Sequence, residues 1–158
     1  MISWFRRKPI DCNLALQDLS IMLFKDEEDP TYKMEFFNPE KLDFSIESLK
    51  HIDEYLEIIH KAPPDDREIL KIGLRVGAYV GEVIRNHAKK NCTWLSFDES
   101  QKVNKNIKKL GMQLGTAAVL WTMPDNIAFP ISKVLKYIEN GHEDNVYFYA
   151  KVAIESFS

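Results

Sequence analysis

Cysteine is nearly missing from this sequence. Cys12 and Cys92 are the only two, and neither stands in the paired spacing that a zinc site or a disulfide framework requires. Both read as free thiols. Glycine is also scarce, and no glycine-rich loop precedes a helix, so the usual phosphate-cradling motif is missing. Positive charge is not in excess: 21 Lys and Arg stand against 24 Asp and Glu, a net charge of -3. Such a chain has no general attraction for phosphate backbones, which excludes nucleic acid as the default partner.

Long hydrophobic runs are lacking too. The most apolar stretch, Ile69 to Ile84, holds Lys71, Arg75 and Glu82 and is too short to span a bilayer. The basic cluster Arg6-Arg7-Lys8 follows only a few apolar residues and leads into no apolar core, so it is not a secretory signal, and a cytoplasmic location is expected. No Gly-x-Ser-x-Gly elbow occurs, and His87 and Cys92 are neighbours in sequence only, which leaves no nucleophilic constellation.

What is present is a chain of one-domain length, 45% hydrophobic and 28% charged, a mixture that folds and does not stay disordered. Asp11 is a candidate N-cap for a helix to Lys25, with Cys12, Ala15, Leu16, Leu19, Met22 and Leu23 on one face. A short extended segment is expected over Thr31 to Phe37. Ser45 reads as the next N-cap, with Phe44 and Leu49 closing as a hydrophobic staple, for a helix that ends before Pro63-Pro64. Asp65 or Asp66 caps a long helix from about Arg67 to Lys90, whose apolar residues cover roughly 200° of arc, so it is central and largely buried. Thr93 to Phe97 alternates as a strand, and Asp98 with Gln101 resembles a capping box for a brief helix that Gly111 ends. Ala117 to Thr122 and Asn126 to Phe129, joined through Met123-Pro124-Asp125, read as a β-hairpin or meander. Two short helices follow, the first over Ile131 to Ile138 with Gly141 at C′, the second starting at Asp144. The architecture is α+β: one predominantly helical domain over 1–158, with a small antiparallel sheet in its second half. Residues 1–10 are expected as a mobile arm.

Four pieces taken together are distinctive: Leu42-Asp43-Phe44-Ser45-Ile46-Glu47-Ser48-Leu49, Gly77-Ala78-Tyr79-Val80-Gly81-Glu82-Val83-Ile84-Arg85, Trp94, and Val134 through Asp144 with its Asn140-Gly141-His142-Glu143-Asp144 turn. Their order resembles a widespread family of small uncharacterised bacterial domains. The likeness covers roughly residues 40–155 and leaves 11–40 as a variable N-terminal segment. It implies a bacterial accessory protein, in some cases an antidote to a secreted toxin, and carries over no catalytic residue.

Three constellations invite a chemical reading. Gly73, Gly77 and Gly81 form a ridge on the long helix, each costing about 1 kcal/mol relative to alanine. Either a neighbouring element packs unusually close there or a ligand presses against backbone. Arg75, Tyr79, Glu82 and Arg85 run along the opposite polar stripe. They read either as a self-satisfied network or as a binding surface, since arginine and tyrosine are enriched where contact energy concentrates. Glu57 and His60 have the spacing of a carboxylate-bridged metal helix, but Gly141 interrupts the formal repeat at Glu139 and His142, so no metal site and no cofactor are expected. His51 and Glu54 read as exposed helix residues. The acidic run Asp26 to Asp29 is a solvated loop or an acidic knob for a basic partner, and Lys102, Lys105, Lys108 and Lys109 form a solvent face. The resulting expectation is a non-catalytic binding protein acting on a protein partner through Arg75, Tyr79, Glu82 and Arg85, with toxin neutralisation its concrete form. The alternative is a ligand-binding domain or small enzyme with a pocket between the glycine ridge and the sheet, near Tyr79, Trp94 and Trp121.

Overall fold

The computed structural model describes residues 11–157. The arm expected over residues 1–10 lies outside them. Helix α1 (Cys12–Lys25) begins where Asp11 accepts the Leu14 N–H. Helix α2 spans Leu49–Lys61 and α3 spans Asp66–His87, capped by Asp65 through the Glu68 N–H. Strand β1 (Thr93–Ser96) runs into α4 (Phe97–Val103), and α5 (Asn106–Leu110) stops at Gly111, whose φ of 74° is the left-handed conformation that favours glycine. Strands β2 (Ala118–Thr122) and β3 (Asn126–Ala128) complete a three-stranded antiparallel sheet of order β1-β2-β3, with Trp94 opposite Leu120 and Trp121 opposite Ile127. Helix α6 (Pro130–Asn140) ends at Gly141, and α7 (Val146–Ser156) closes the described chain. The fold is α+β with helices dominant and the small sheet in the second half.

Several expectations are corrected locally. Thr31 to Phe37 is not extended. It forms a turn and a short 3-10 segment, Met34–Phe36, because the Thr31 hydroxyl donates to the Leu23 carbonyl and the Tyr55 hydroxyl to the Tyr32 carbonyl, folding the loop back on α1 and α2. Ser45 caps an irregular turn ahead of α2 by accepting the Ser48 N–H, so the helix starts later than its apolar staple suggests. The capping box of α4 pairs Ser96 with Glu99, two residues earlier than Asp98 and Gln101, and α7 is capped by Asn145 in place of Asp144.

Helix α3 is the centre of the molecule. It packs on α1, α6 and α7, and α2 leans on α6 and α7. The glycine ridge explains how α6 and the sheet come so near. A Cβ on Gly77 would stand 2.7 Å from the Ile131 Cα, one on Gly73 would stand 2.9 Å from the Leu135 side chain, and one on Gly81 would overlap the Trp94 indole. The ridge therefore packs on protein. Ile131 and Trp94 are buried against it, and the apolar area removed from water offsets the roughly 3 kcal/mol of helix propensity that three glycines forgo. Among the described residues no helix is long and apolar enough to cross a membrane.

Because the neighbour of Gly77 is main chain and cannot rotate away, Gly77→Leu is expected to cost about 3 kcal/mol, lowering the thermal midpoint by roughly 6–12 °C. A variant melting within a degree or two of the parent would refute the close-packing account.

Candidate functional site

The polar stripe of α3 does not face solvent. Arg75, Tyr79 and Glu82 are 3%, 0% and 5% exposed and Arg85 is half-buried, so of the two readings of the stripe the structure has the self-satisfied network, set under cover and not on the surface. Each is held by a segment that wraps over it. Arg75 donates to the Asp29 carbonyl at 2.8 Å, to the Thr31 hydroxyl at 3.1 Å and to the Asp26 carboxylate at 2.7 Å. Lys71, one turn earlier, bonds Asp29 at 2.6 Å. Two of the four acids in the Asp26 to Asp29 run are thereby neutralised within the chain, and only Glu27 and Glu28 are left to form an acidic knob.

Tyr79 accepts the Phe44 N–H at 3.0 Å and donates to the Ser48 hydroxyl at 2.8 Å. Phe44 has a φ of 60°, a left-handed conformation that costs a non-glycine residue roughly 1–2 kcal/mol. It is kept there by its ring stacked on Tyr79, with centroids 4.6 Å apart, and by His87, whose Nε2 lies 3.0 Å from the Phe44 carbonyl oxygen. Glu82 accepts the Trp94 indole N–H at 3.2 Å and pairs with Arg85 at 2.8 Å, while Arg85 donates onward to the Cys92 carbonyl. The stripe thus joins α3 to the 42–48 segment and to β1, so three of the four distinctive sequence pieces meet in one buried network.

A cleft of about 530 Å³ lies elsewhere, between α2, the C-terminal half of α6 and the 141–147 connection. Its lining includes the carboxylates of Asp53, Glu54 and Glu57 and the rings of Tyr137 and Tyr147. Asp53 forms the floor. Its two carboxylate oxygens accept the Val146 N–H at 2.7 Å and the Tyr147 N–H at 3.1 Å, satisfying free donors at the start of α7. Burial raises its pKa, and those two N–H groups act the other way. Glu57 accepts the Tyr137 hydroxyl at 3.0 Å, and burial followed by that carboxylate pushes the phenol well up. The one lysine in the lining, Lys50, is paired with Glu47 at 2.7 Å and lies 4.9 Å over the Tyr147 ring. His142 and Asn145 from the Asn-Gly-x-Glu-Asp region complete the rim.

Sequence reasoning missed this cleft. A signal for it exists: at 100° per residue, Asp53, Glu57, Lys50 and Glu54 fall within about 100° of one another, immediately beside the apolar arc of α2. Glu57 and His60 do not share a ligand geometry, since Glu57 is engaged by Tyr137 and the His60 Nδ1 lies 2.9 Å from the Ile138 carbonyl oxygen. Among the described residues no three His, Cys, Asp or Glu side chains gather as a metal centre.

The pocket expected near Tyr79, Trp94 and Trp121 is filled by the Trp94 indole itself, which occupies the notch at Gly81. The cavity that does adjoin the sheet is apolar, about 620 Å³, and lies between α1, Leu74, Ala118 and Ile131. No protein-family model matches the chain, and no curated protein or solved structure matches it either.

Arg75→Ala is expected to destabilise the protein by about 3 kcal/mol, since it strands Asp26 and two other acceptors. Equal melting of variant and parent would contradict the buried network. Cys92 reports on the same region. Burial pushes its thiol up to about 12 from 9.0, against the opposing pull of Arg85. The native state then holds a proton that the unfolded chain releases, so this contribution to stability is lost as pH rises from about 9 toward 12, by up to about 1.4 kcal/mol per unit. The stability difference between parent and Cys92→Ala, measured by denaturant titration, should shrink between about pH 8 and pH 10. A difference independent of pH would show the thiol to be less buried than described.

Proposed function

We propose that this chain is a non-catalytic binding protein of the bacterial cytoplasm, related to the small-domain family it resembles. Its task on this reading is the capture of a basic protein partner, as an antidote does to a cationic toxin. The observation that carries the reading is the acidic and aromatic cleft. It sets Asp53, Glu54 and Glu57 beside two tyrosine rings, with its single lysine already paired. The Tyr147 ring already carries Lys50 and Lys151, so an ammonium or guanidinium entering such a cleft gains a carboxylate and the Tyr137 ring. The polar residues of the buried α3 network, by contrast, are engaged in holding the chain together, which supports placing recognition on α2 and the 141–147 connection and away from Arg75, Tyr79 and Glu82.

The test uses charge reversal at an exposed position, whose approach to His51 at 3.8 Å is a surface contact of little weight. The Glu54 side chain is 77% exposed, so Glu54→Lys should melt with the parent. It should also weaken capture of a basic partner from the host extract by about tenfold or more, and capture by the parent should fall steeply with salt. An arginine-containing peptide serves as a defined probe, with its citrulline counterpart as the uncharged control. Equal binding of both peptides by the parent, or of the arginine peptide by parent and variant alike, would remove the cleft from the proposal.

A further inference from the structure

A second cleft carries the opposite sign. About 460 Å³ lies between the 114–116 turn, α6 and α7, and the charged groups in its lining are Lys133 and Lys136, with no carboxylate among them. The hydroxyls of Ser132 and Tyr149 and the apolar sides of Phe129 and Leu110 line it as well. Asp144, just outside the lining, neutralises Lys133, so in a protein of net charge -3 the cavity keeps one uncompensated cation, Lys136, and a local field opposed to the mean.

The donors are both positioned and unspent. Lys133 is half-buried, its Nζ fixed 2.8 Å from the Asp144 carboxylate and 5.6 Å from the centroid of the Tyr149 ring. An ammonium carries three protons, so two remain for a ligand. The Tyr149 hydroxyl accepts the Phe129 N–H at 2.9 Å and gives its own proton to no acceptor among the described residues. Burial pushes that phenol up to about 12, which keeps it a donor throughout the neutral range. Lys136 is exposed and forms no ion pair among the described residues, and the Ser132 hydroxyl has no partner there. Ser132 also stands in the first turn of α6, a helix start with no side-chain cap and no acidic residue, where the field favours negative charge.

We infer that this cleft binds a small organic anion. The carboxylate or phosphate-ester head would lie between Lys133, Lys136 and the Tyr149 hydroxyl, and an apolar or aromatic body would rest on Phe129 and Leu110. The volume falls within the range of small-molecule sites, and the division into a few convergent donors and an apolar wall is their usual construction. The inference is independent of the acidic cleft, which has different lining residues and takes ligands of opposite charge.

The probes are phenyl phosphate, benzoate, inorganic phosphate and phenol, each titrated into the full chain by calorimetry with thermal melting in parallel. Phenyl phosphate or benzoate should bind and raise the melting temperature, and the stronger of the two identifies the preferred head group. Inorganic phosphate should bind more weakly, and phenol more weakly still. Lys136→Glu should melt like the parent, because the side chain is exposed, and should weaken binding by about tenfold or more. Tyr149→Phe should weaken it as well. Failure of both organic anions to bind the parent at millimolar concentration, or equal binding by Lys136→Glu, would overturn the site. Inorganic phosphate binding as tightly as phenyl phosphate would overturn the role given to Phe129 and Leu110.

Discussion

Burying a guanidinium at position 75 obliges the rest of the chain to bring oxygen to it. An uncompensated charge at that depth costs several kcal/mol, and α3 has no room to turn Arg75 outward, because its other faces are committed to α1, α6 and α7. The solution is the 26–31 loop, which folds over the helix and delivers a carboxylate, a carbonyl and a hydroxyl to one side chain. Much of the N-terminal third follows from that requirement. The loop is pinned, α1 is thereby set against α3, and the 42–48 segment continues along the same stripe to Tyr79.

Regular elements were legible where a local rule and the tertiary context agreed. Asp11, Asp65 and Gly141 mark helix ends in sequence and do so in the structure, since a cap is satisfied by residues a turn away and needs nothing distant. The hairpin was legible from two runs joined through the turn residues Met123-Pro124-Asp125. The 31–37 segment was not, because aromatic content reads as strand only when a neighbouring strand supplies the ladder. Here the partners are side chains, Tyr55 and Thr31, which tie the loop to helices. The sequence reading of α3 was right about its width of burial and left its remaining stripe open between a self-satisfied network and a binding surface. A 22-residue helix with a narrow polar edge looks half-exposed in projection, and only the path of a loop many residues away decides that the edge is covered.

The candidate sites were less legible than the fold, for a related reason. A cleft is made by the juxtaposition of elements, and its residues look ordinary on each element alone. Asp53 sits at the margin of an apolar helix face and could be any helix carboxylate until α7 is docked so that its first N–H groups meet it. Tyr149 reads as an aromatic on an apolar helix until the start of α6 gives it a backbone donor and leaves its proton free. The distinctive sequence pieces, meanwhile, divide between two tasks. Those on α3 and around Phe44 and Trp94 hold the core together, and the Asn-Gly-x-Glu-Asp turn shapes the rim of the acidic cleft.

The two faces of α3 also differ in when their partners are made. The polar stripe is satisfied largely by residues 26–48, which precede the helix, whereas the glycine ridge is covered by Trp94, Ile131 and Leu135, which follow it. On the ribosome, α3 can therefore settle its charges as soon as it emerges, while its flattest and least shielded surface waits for about fifty further residues. At roughly 5–20 residues per second that wait lasts several seconds. Leu70, Leu74 and Ile84 lie on the same arc as the glycines, so in that interval α3 carries an uncovered apolar face with a notch in it, and α6 and the sheet must reach it before anything else does.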